Sequence, residues 1–205
     1  MFSRMSILLA TFTFSMVAQA TLIDFTDQSW KDAIGSGQTS ATVGNVTLTS
    51  TSGYLNFNGS SSERTGCQAG QPDNGLACLG DGIGISDDEI TQRTSESITI
   101  SFANSVNVDN IFLLDLFGTE GTGETAVIDG NLYHNALDNA AMGGFFATGY
   151  TAEGITSILL TGYKDCFSDY ALASIEVSAV PLPGAAILFG SALLGFFGFK
   201  RRRPS

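Results

Sequence analysis

Positive charge is what this sequence most lacks. All twenty acidic residues fall between Asp24 and Glu176, where only Lys31, Arg64, Arg93 and Lys164 are basic, a formal balance of −16 for that stretch against −11 for the whole chain. Nucleic acid and anionic lipid headgroups repel such a domain, because both present dense negative charge. Nucleic acid is therefore excluded as a partner, while divalent cations and neutral or basic ligands stay compatible. Histidine is nearly missing as well, His134 being the only one. Serine and cysteine nucleophiles usually need a base with a pKa near 7, so any such triad would have to pass through His134. Its neighbours Tyr133 and Asn135 suggest an ordinary hairpin strand instead. There is no Gly-x-Ser-x-Gly elbow and no pair of histidines for zinc. The commonest hydrolase signatures are thus absent, and the expectation is a non-enzymatic protein with no catalytic residue assigned.

Apolar runs are few and short. The first covers residues 7–17, which is 11 residues, well below the roughly 20 that a membrane-crossing helix needs. Arg4 precedes it, and Ala18-Gln19-Ala20 follows with small residues at Ala18 and Ala20, the positions a signal peptidase inspects. Residues 1–20 are expected to be a signal peptide, with cleavage after Ala20 and a mature chain that begins at Thr21.

The three cysteines, Cys67, Cys78 and Cys166, all lie in the mature part. An exported chain would carry them into an oxidising compartment, where one bridge and one spare thiol are possible. Cys67 with Cys78 is the favoured pair, since the turn-rich residues between them can bend the chain back. Pairing of either with Cys166, or buried reduced thiols, are the alternatives.

Helical periodicity is scarce, and 24 glycines suit tight turns better than helices. From residue 21 to residue 177, short apolar runs of period near two alternate with Gly, Asn, Asp and Ser, which is strand punctuation. Candidate strands are residues 21–25, 41–49, 54–57, 97–102, 111–117, 125–128, 132–135, 145–148, 155–161 and 171–177. The alternation is cleanest where Ile98, Ile100 and Phe102 share one face and Ser97, Thr99 and Ser101 the other. Asp129-Gly130-Asn131 reads as a hairpin turn, residues 27–34 as a short helix, and the Ser/Thr-dense residues 39–52 as a solvated strand face. The expected fold is all-β, a two-sheet antiparallel β-sandwich, with the jelly roll as one arrangement ten short strands allow.

Four carboxylates, Asp81, Asp87, Asp88 and Glu89, crowd into nine residues flanked by Gly80, Gly82 and Gly84. Hard oxygen donors on a flexible turn suit Ca²⁺, although the spacing is not that of an EF-hand. In a chain this acidic a solvated loop accounts for them equally well. Trp30, Tyr54, Tyr133, Tyr150, Tyr163 and Tyr170 supply material for a sugar-stacking platform, though strand aromatics more often serve as core or cross-strand partners.

The composition changes sharply at the C-terminal end. Val180-Pro181-Leu182-Pro183 forms a strip that neither helix nor ladder accommodates. Residues 184–199 then form an uncharged run of 16, closed by Lys200, Arg201, Arg202 and Arg203. With the proline strip included, the run approaches the length of a single transmembrane helix, and the basic cluster would remain cytoplasmic. Proline strip, Gly-rich apolar span and basic terminus together resemble the PEP-CTERM sorting signal, in the variant with Leu182 where the name-giving motif has Glu. The resemblance implies recognition by an exosortase, a membrane-embedded processing enzyme, in a Gram-negative bacterium that makes extracellular polysaccharide. Residues 81–90 and 96–102 are also similar to a block found in the mature parts of proteins with this tail.

The chain thus divides into a signal peptide (1–20), an acidic β-domain (21–179) and a sorting tail (180–205). The expectation is an inner-membrane-anchored precursor delivered to the cell surface or matrix, and a binding or structural module associated with exopolysaccharide or biofilm. The alternative from another class is a secreted carbohydrate-active hydrolase using two acidic residues.

Overall fold

In the computed structural model the described residues are 19–57, 75–86, 89–91, 95–118, 123–139, 142–164, 168–180 and 190. Eleven strands and one helix run through them: β1 (Thr21–Asp24), α1 (Gln28–Ala33), β2 (Ser40–Val43), β3 (Val46–Ser50), β4 (Leu55–Phe57), β5 (Ile83–Ile85), β6 (Ser97–Leu114), β7 (Thr125–Ile128), β8 (Asn131–His134), β9 (Phe146–Ala147), β10 (Ala152–Gly162) and β11 (Ala171–Ala179). All pairings are antiparallel and join into one hydrogen-bonded sheet. Residues Ala20–Val180 make up a compact unit of their own. The expected signal peptide and sorting tail fall almost wholly on residues 1–18, 181–189 and 191–205, which lie outside the described residues. Among the described residues, no helix is long and apolar enough to cross a membrane.

The organising element is β6, whose two halves have different neighbours. Its first half runs between β3 and β10, with Leu48 and Ile158 both opposite Ile100. Its second half lies beside β11, with Ile175 opposite Ile111, and takes the short β9 at Phe112 and Leu113. The residues between, Ala103-Asn104-Ser105, are exposed. Polar and irregular in sequence, they separate two of the expected strands; the structure instead carries one strand of 18 residues through them. Residues 41–49 depart the other way. They belong to a hairpin whose turn, Gly44-Asn45, places Gly44 at φ +58, as a two-residue type II′ connection requires.

The hairpin expected at Asp129-Gly130-Asn131 forms with Asp129 at φ 49 and Gly130 at φ 78, the two positive values of a type I′ turn. Asp129 also ties the turn to β10: its carboxylate accepts from the Leu159 amide at 2.8 Å and from the Tyr150 hydroxyl at 2.5 Å. The short helix forms as expected, capped by Asp27, whose carboxylate accepts from the Ser29 amide at 2.9 Å and from its hydroxyl at 2.7 Å. Those bonds, the side-chain one foremost, hold the Asp27 carboxyl below the usual aspartate range.

One continuous cluster of buried side chains includes Leu48, Ile98, Ile100 and Leu160 from the first half's neighbourhood and Ile83, Ile111, Leu172 and Ile175 from the second's. A smaller cluster lies on the other face of the second half, where Leu114, Ala173 and Leu76 are buried with Phe112 and Phe145 packed against them. The segment around Leu76 is held by β1. Asp24 accepts from the Ala77 amide at 2.6 Å, and the Thr26 hydroxyl accepts from the Cys78 amide at 2.9 Å. Cys78 is disulfide-bonded; Cys67 and Cys166, the two cysteines available to it, fall outside the described residues.

Candidate functional site

The acidic cluster is only partly described. Asp81 is buried just before β5. Glu89 is half-buried after it, bridged back to Ile85, whose amide donates to the Glu89 carbonyl at 3.1 Å. Gly82 beside Asp81 sits at φ +100, where an added Cβ would come within 2.6 Å of the Leu172 carbonyl oxygen, so the glycine is required by close backbone packing. Asp81 precedes the first residue of β5 and Glu89 pairs with its last, so the two acids belong to opposite ends of that strand. Asp87 and Asp88 lie outside the described residues. Among the described residues, no group of three or more His, Cys, Asp or Glu side chains is placed to share a metal ion.

The aromatic residues do not assemble into one platform. Trp30 and Tyr170 are core residues, Trp30 stacked obliquely on Phe25 with ring centroids 5.0 Å apart. Tyr150 is buried and meets Tyr133 edge-on at 6.3 Å. Burial, followed by the hydrogen bond and the charge of Asp129, pushes the Tyr150 phenol well above the usual tyrosine range. Burial raises Tyr133 too, with the Asp129 charge adding to it. Tyr54 alone of this set is largely exposed, at 45 %. His134 ends β8 with its Nδ1 at 3.1 Å from the Thr125 hydroxyl, a cross-strand contact within a hairpin.

Two features appear only when the strands are set in register. The first is the outer face of the sheet around the first half of β6. One rank across four strands reads Thr42, Thr47, Ser101, Ser157, and the next reads Ser40, Thr49, Thr99, Leu159. A third continues through Ser97, Thr161, Val127 and Leu132, with the Thr51 hydroxyl bonded to that of Ser97. Ten of these thirteen side chains carry hydroxyls and none carries a charge; Ser97 among them is buried. At the β2–β3 edge the hydroxyls pair with each other, Thr42 with Thr47 at 2.9 Å and Ser40 with Thr49 at 3.3 Å. Leu159 and Leu132 add exposed apolar surface, at 41 % and 59 %. Neighbouring hydroxyls repeat at about 4.8 Å across the strands and about 7 Å along them. Such a surface offers donors and acceptors in ranks and no fixed charge.

The second feature is a pocket of about 330 Å³ where β1, α1, the β2–β3 turn and the middle of β6 meet. Trp30, Val43, Val46, Phe102, Val106 and Val177 form much of its wall, Thr21, Asn45 and Asn104 are its polar members, and no lining residue is charged. Its size and its apolar lining with few polar groups are those of a small-molecule site.

Sequence reasoning located the Ser/Thr-dense stretch but not the face, because Ser101 and Ser157 join it only through pairing. The pocket draws on segments from Thr21 to Val177, and no local pattern announces it. No protein-family model matches this chain, and neither the curated proteins nor the solved structures contain a match to it.

Proposed function

We propose that this chain is an exported protein of a Gram-negative cell surface or extracellular matrix, a non-enzymatic binding or structural module that associates with exopolysaccharide. On this reading the first twenty residues direct export, the tail resembling PEP-CTERM holds the precursor in the inner membrane, and an exosortase processes it. The acidic unit is then a β-sandwich whose two layers are the neighbourhoods of the two halves of β6. The single buried cluster that both supply supports this, because side chains from separate layers interdigitate when sheets pack face to face.

The observation that carries the functional reading is the uncharged hydroxyl face. In a chain whose central stretch has a balance of −16, thirteen aligned positions without a charge leave a surface suited to a neutral, hydroxyl-rich polymer. Ranked Ser and Thr side chains exchange hydrogen bonds with sugar hydroxyls, and Leu132 and Leu159 meet the C–H faces of the rings. An acidic polymer would be repelled by the surrounding carboxylates.

The test is sedimentation of the exported protein with a panel of insoluble neutral and acidic polysaccharides, alongside an assay for release of reducing ends. Binding to a neutral member without release is expected, and Thr99→Asp with Ser157→Asp should weaken it by roughly tenfold or more, a loss of about 1.4 kcal/mol. Release of reducing ends that a single Asp or Glu substitution abolishes would replace this reading with that of a hydrolase.

A further inference from the structure

The apolar pocket lies at the pole where the chain enters and leaves the acidic unit. Thr21 and Val177 are partners across β1 and β11, and both line it. In sequence the apolar run of the tail follows closely, residues 184–199 beginning seven positions after Val177. Several exposed segments beside the lining are uncharged as well. Gly44-Asn45, Ala103-Asn104-Ser105 and Ala179-Val180 are all exposed and contain none of the twenty acidic residues.

We propose that this pocket receives an acyl chain of a bilayer lipid while the precursor is held at the membrane. The inference rests on the membrane-anchored precursor of the reading above and assigns that stage a lipid contact of its own. Anionic headgroups repel the carboxylates elsewhere on the unit, whereas this pole approaches a bilayer without bringing charge to it. Eight apolar residues in the lining, against the three polar residues Thr21, Asn45 and Asn104, favour a hydrocarbon occupant over a sugar, whose hydroxyls would be left short of partners. Trp30, on the wall, is the only tryptophan in the chain, so all indole emission comes from beside this pocket.

The full chain is reconstituted into phosphatidylcholine vesicles carrying bromine on the acyl chains, and into plain vesicles as reference. Contact with bromine quenches indole emission, so Trp30 fluorescence should be roughly twofold lower in brominated vesicles if mass action fills most pockets. Val106→Glu, which places a carboxylate in the wall, and Ala103→Glu, at its exposed rim, should each restore the emission while the chain still floats with the vesicles. A second arm offers dissolved, short-chain brominated phosphocholine below its aggregation threshold. Equal emission in brominated and plain vesicles for a floating chain overturns the inference, as does quenching that both variants leave unchanged, since proximity alone would then explain it. A chain that fails to float but is quenched by the dissolved lipid overturns the anchored precursor and upholds the acyl pocket. Absence of quenching in both arms overturns the pocket assignment whatever the flotation result.

Discussion

The two halves of β6 obey the same alternation and meet different surroundings. In the first half, Ile98, Ile100 and Phe102 are buried, while Thr99 and Ser101 between them are half exposed on the hydroxyl face. In the second half, Ile111 and Leu113 join the main core, and the side chains between and after them, Phe112 and Leu114, belong to the second apolar cluster under Leu76 and Phe145. The difference lies outside the strand. Where another segment covers the sheet the outward position is apolar, and where nothing described covers it the outward position is a small hydroxyl. Strand chemistry therefore records the presence of a cover, and an uncovered face this uniform in chemistry is a surface to be tested for contact.

The sharpest break in that comparison comes from truncating the same kind of position in each half. Leu114→Ala, at a fully buried site, is expected to destabilise the domain by about 2–5 kcal/mol. Thr99→Ala, on the open face, should stay within about 0.5 kcal/mol. Denaturant titration of both variants decides it, and comparable losses would mean that the hydroxyl face is covered in solution.

The cover itself can be loosened through its tether. Cys78 belongs to the segment over the second half, and the sequence favours Cys67 as its partner, a 12-residue loop whose closure contributes about 3 kcal/mol in the chain-entropy model. Cys67→Ser and Cys78→Ser should then cost similar amounts, and Cys166→Ser distinctly less. A Cys166→Ser loss equal to that of Cys78→Ser, with Cys67→Ser close to neutral, would reassign the bridge. Protection of the second half's amides against hydrogen exchange should fall with the tether, leaving the first half's nearly unchanged.

The smallest effect concerns the link between the two neighbourhoods. Tyr170, just before β11, is fully buried and donates its hydroxyl to the Thr161 carbonyl of β10 at 2.8 Å, with the Val127 carbonyl of β7 at 3.4 Å. Burial drives its phenol far above the usual tyrosine range, and these carbonyl contacts act in the opposite direction. Tyr170→Phe should cost about 0.5–1.5 kcal/mol near neutral pH. The phenol's contribution is fully present below its unfolded pKa of about 10 and declines as pH rises above that value, because the unfolded chain gives up the proton first. The stability gap between wild type and Tyr170→Phe should therefore narrow in alkaline solution. A constant gap from neutral to alkaline pH would show that the hydroxyl is open to solvent.

Much of this architecture was legible in the sequence because period-two alternation is a direct consequence of one face packing and the other meeting water. Ile98, Ile100 and Phe102 follow from that alternation, and the Asp129-Gly130 turn from residues that tolerate positive φ. Ile83–Ile85 was missed because three residues, one of them glycine, carry no measurable period. The length of β6 was missed because Ala103 to Asn110 is mostly polar, and its strand conformation comes from partners on β10 and β11. The candidate sites were less legible for the same physical reason. Rank and pocket are made by residues such as Thr49 with Thr99, or Trp30 with Val177, whose proximity is a property of pairing and packing. The calcium expectation at Asp81, Asp87, Asp88 and Glu89 came from composition, and two of its four residues lie outside the described part.

The pairing of β1 with β11 sets an order of events for a chain that emerges from its N-terminal end. The first strand has its hydrogen-bonding partner about 150 positions later, counting from the Thr21 and Val177 register, and β6 likewise waits for β10 and β11 on its flanks. Contacts this distant in sequence form slowly and late. Until the last strand is free of the ribosome, Thr21 to Asp24 has no ladder to join, whereas the β2–β3 and β7–β8 hairpins need only their own residues. Completion of the fold and release of the final strand thus become a single step, with the earliest-made segment locked by the latest.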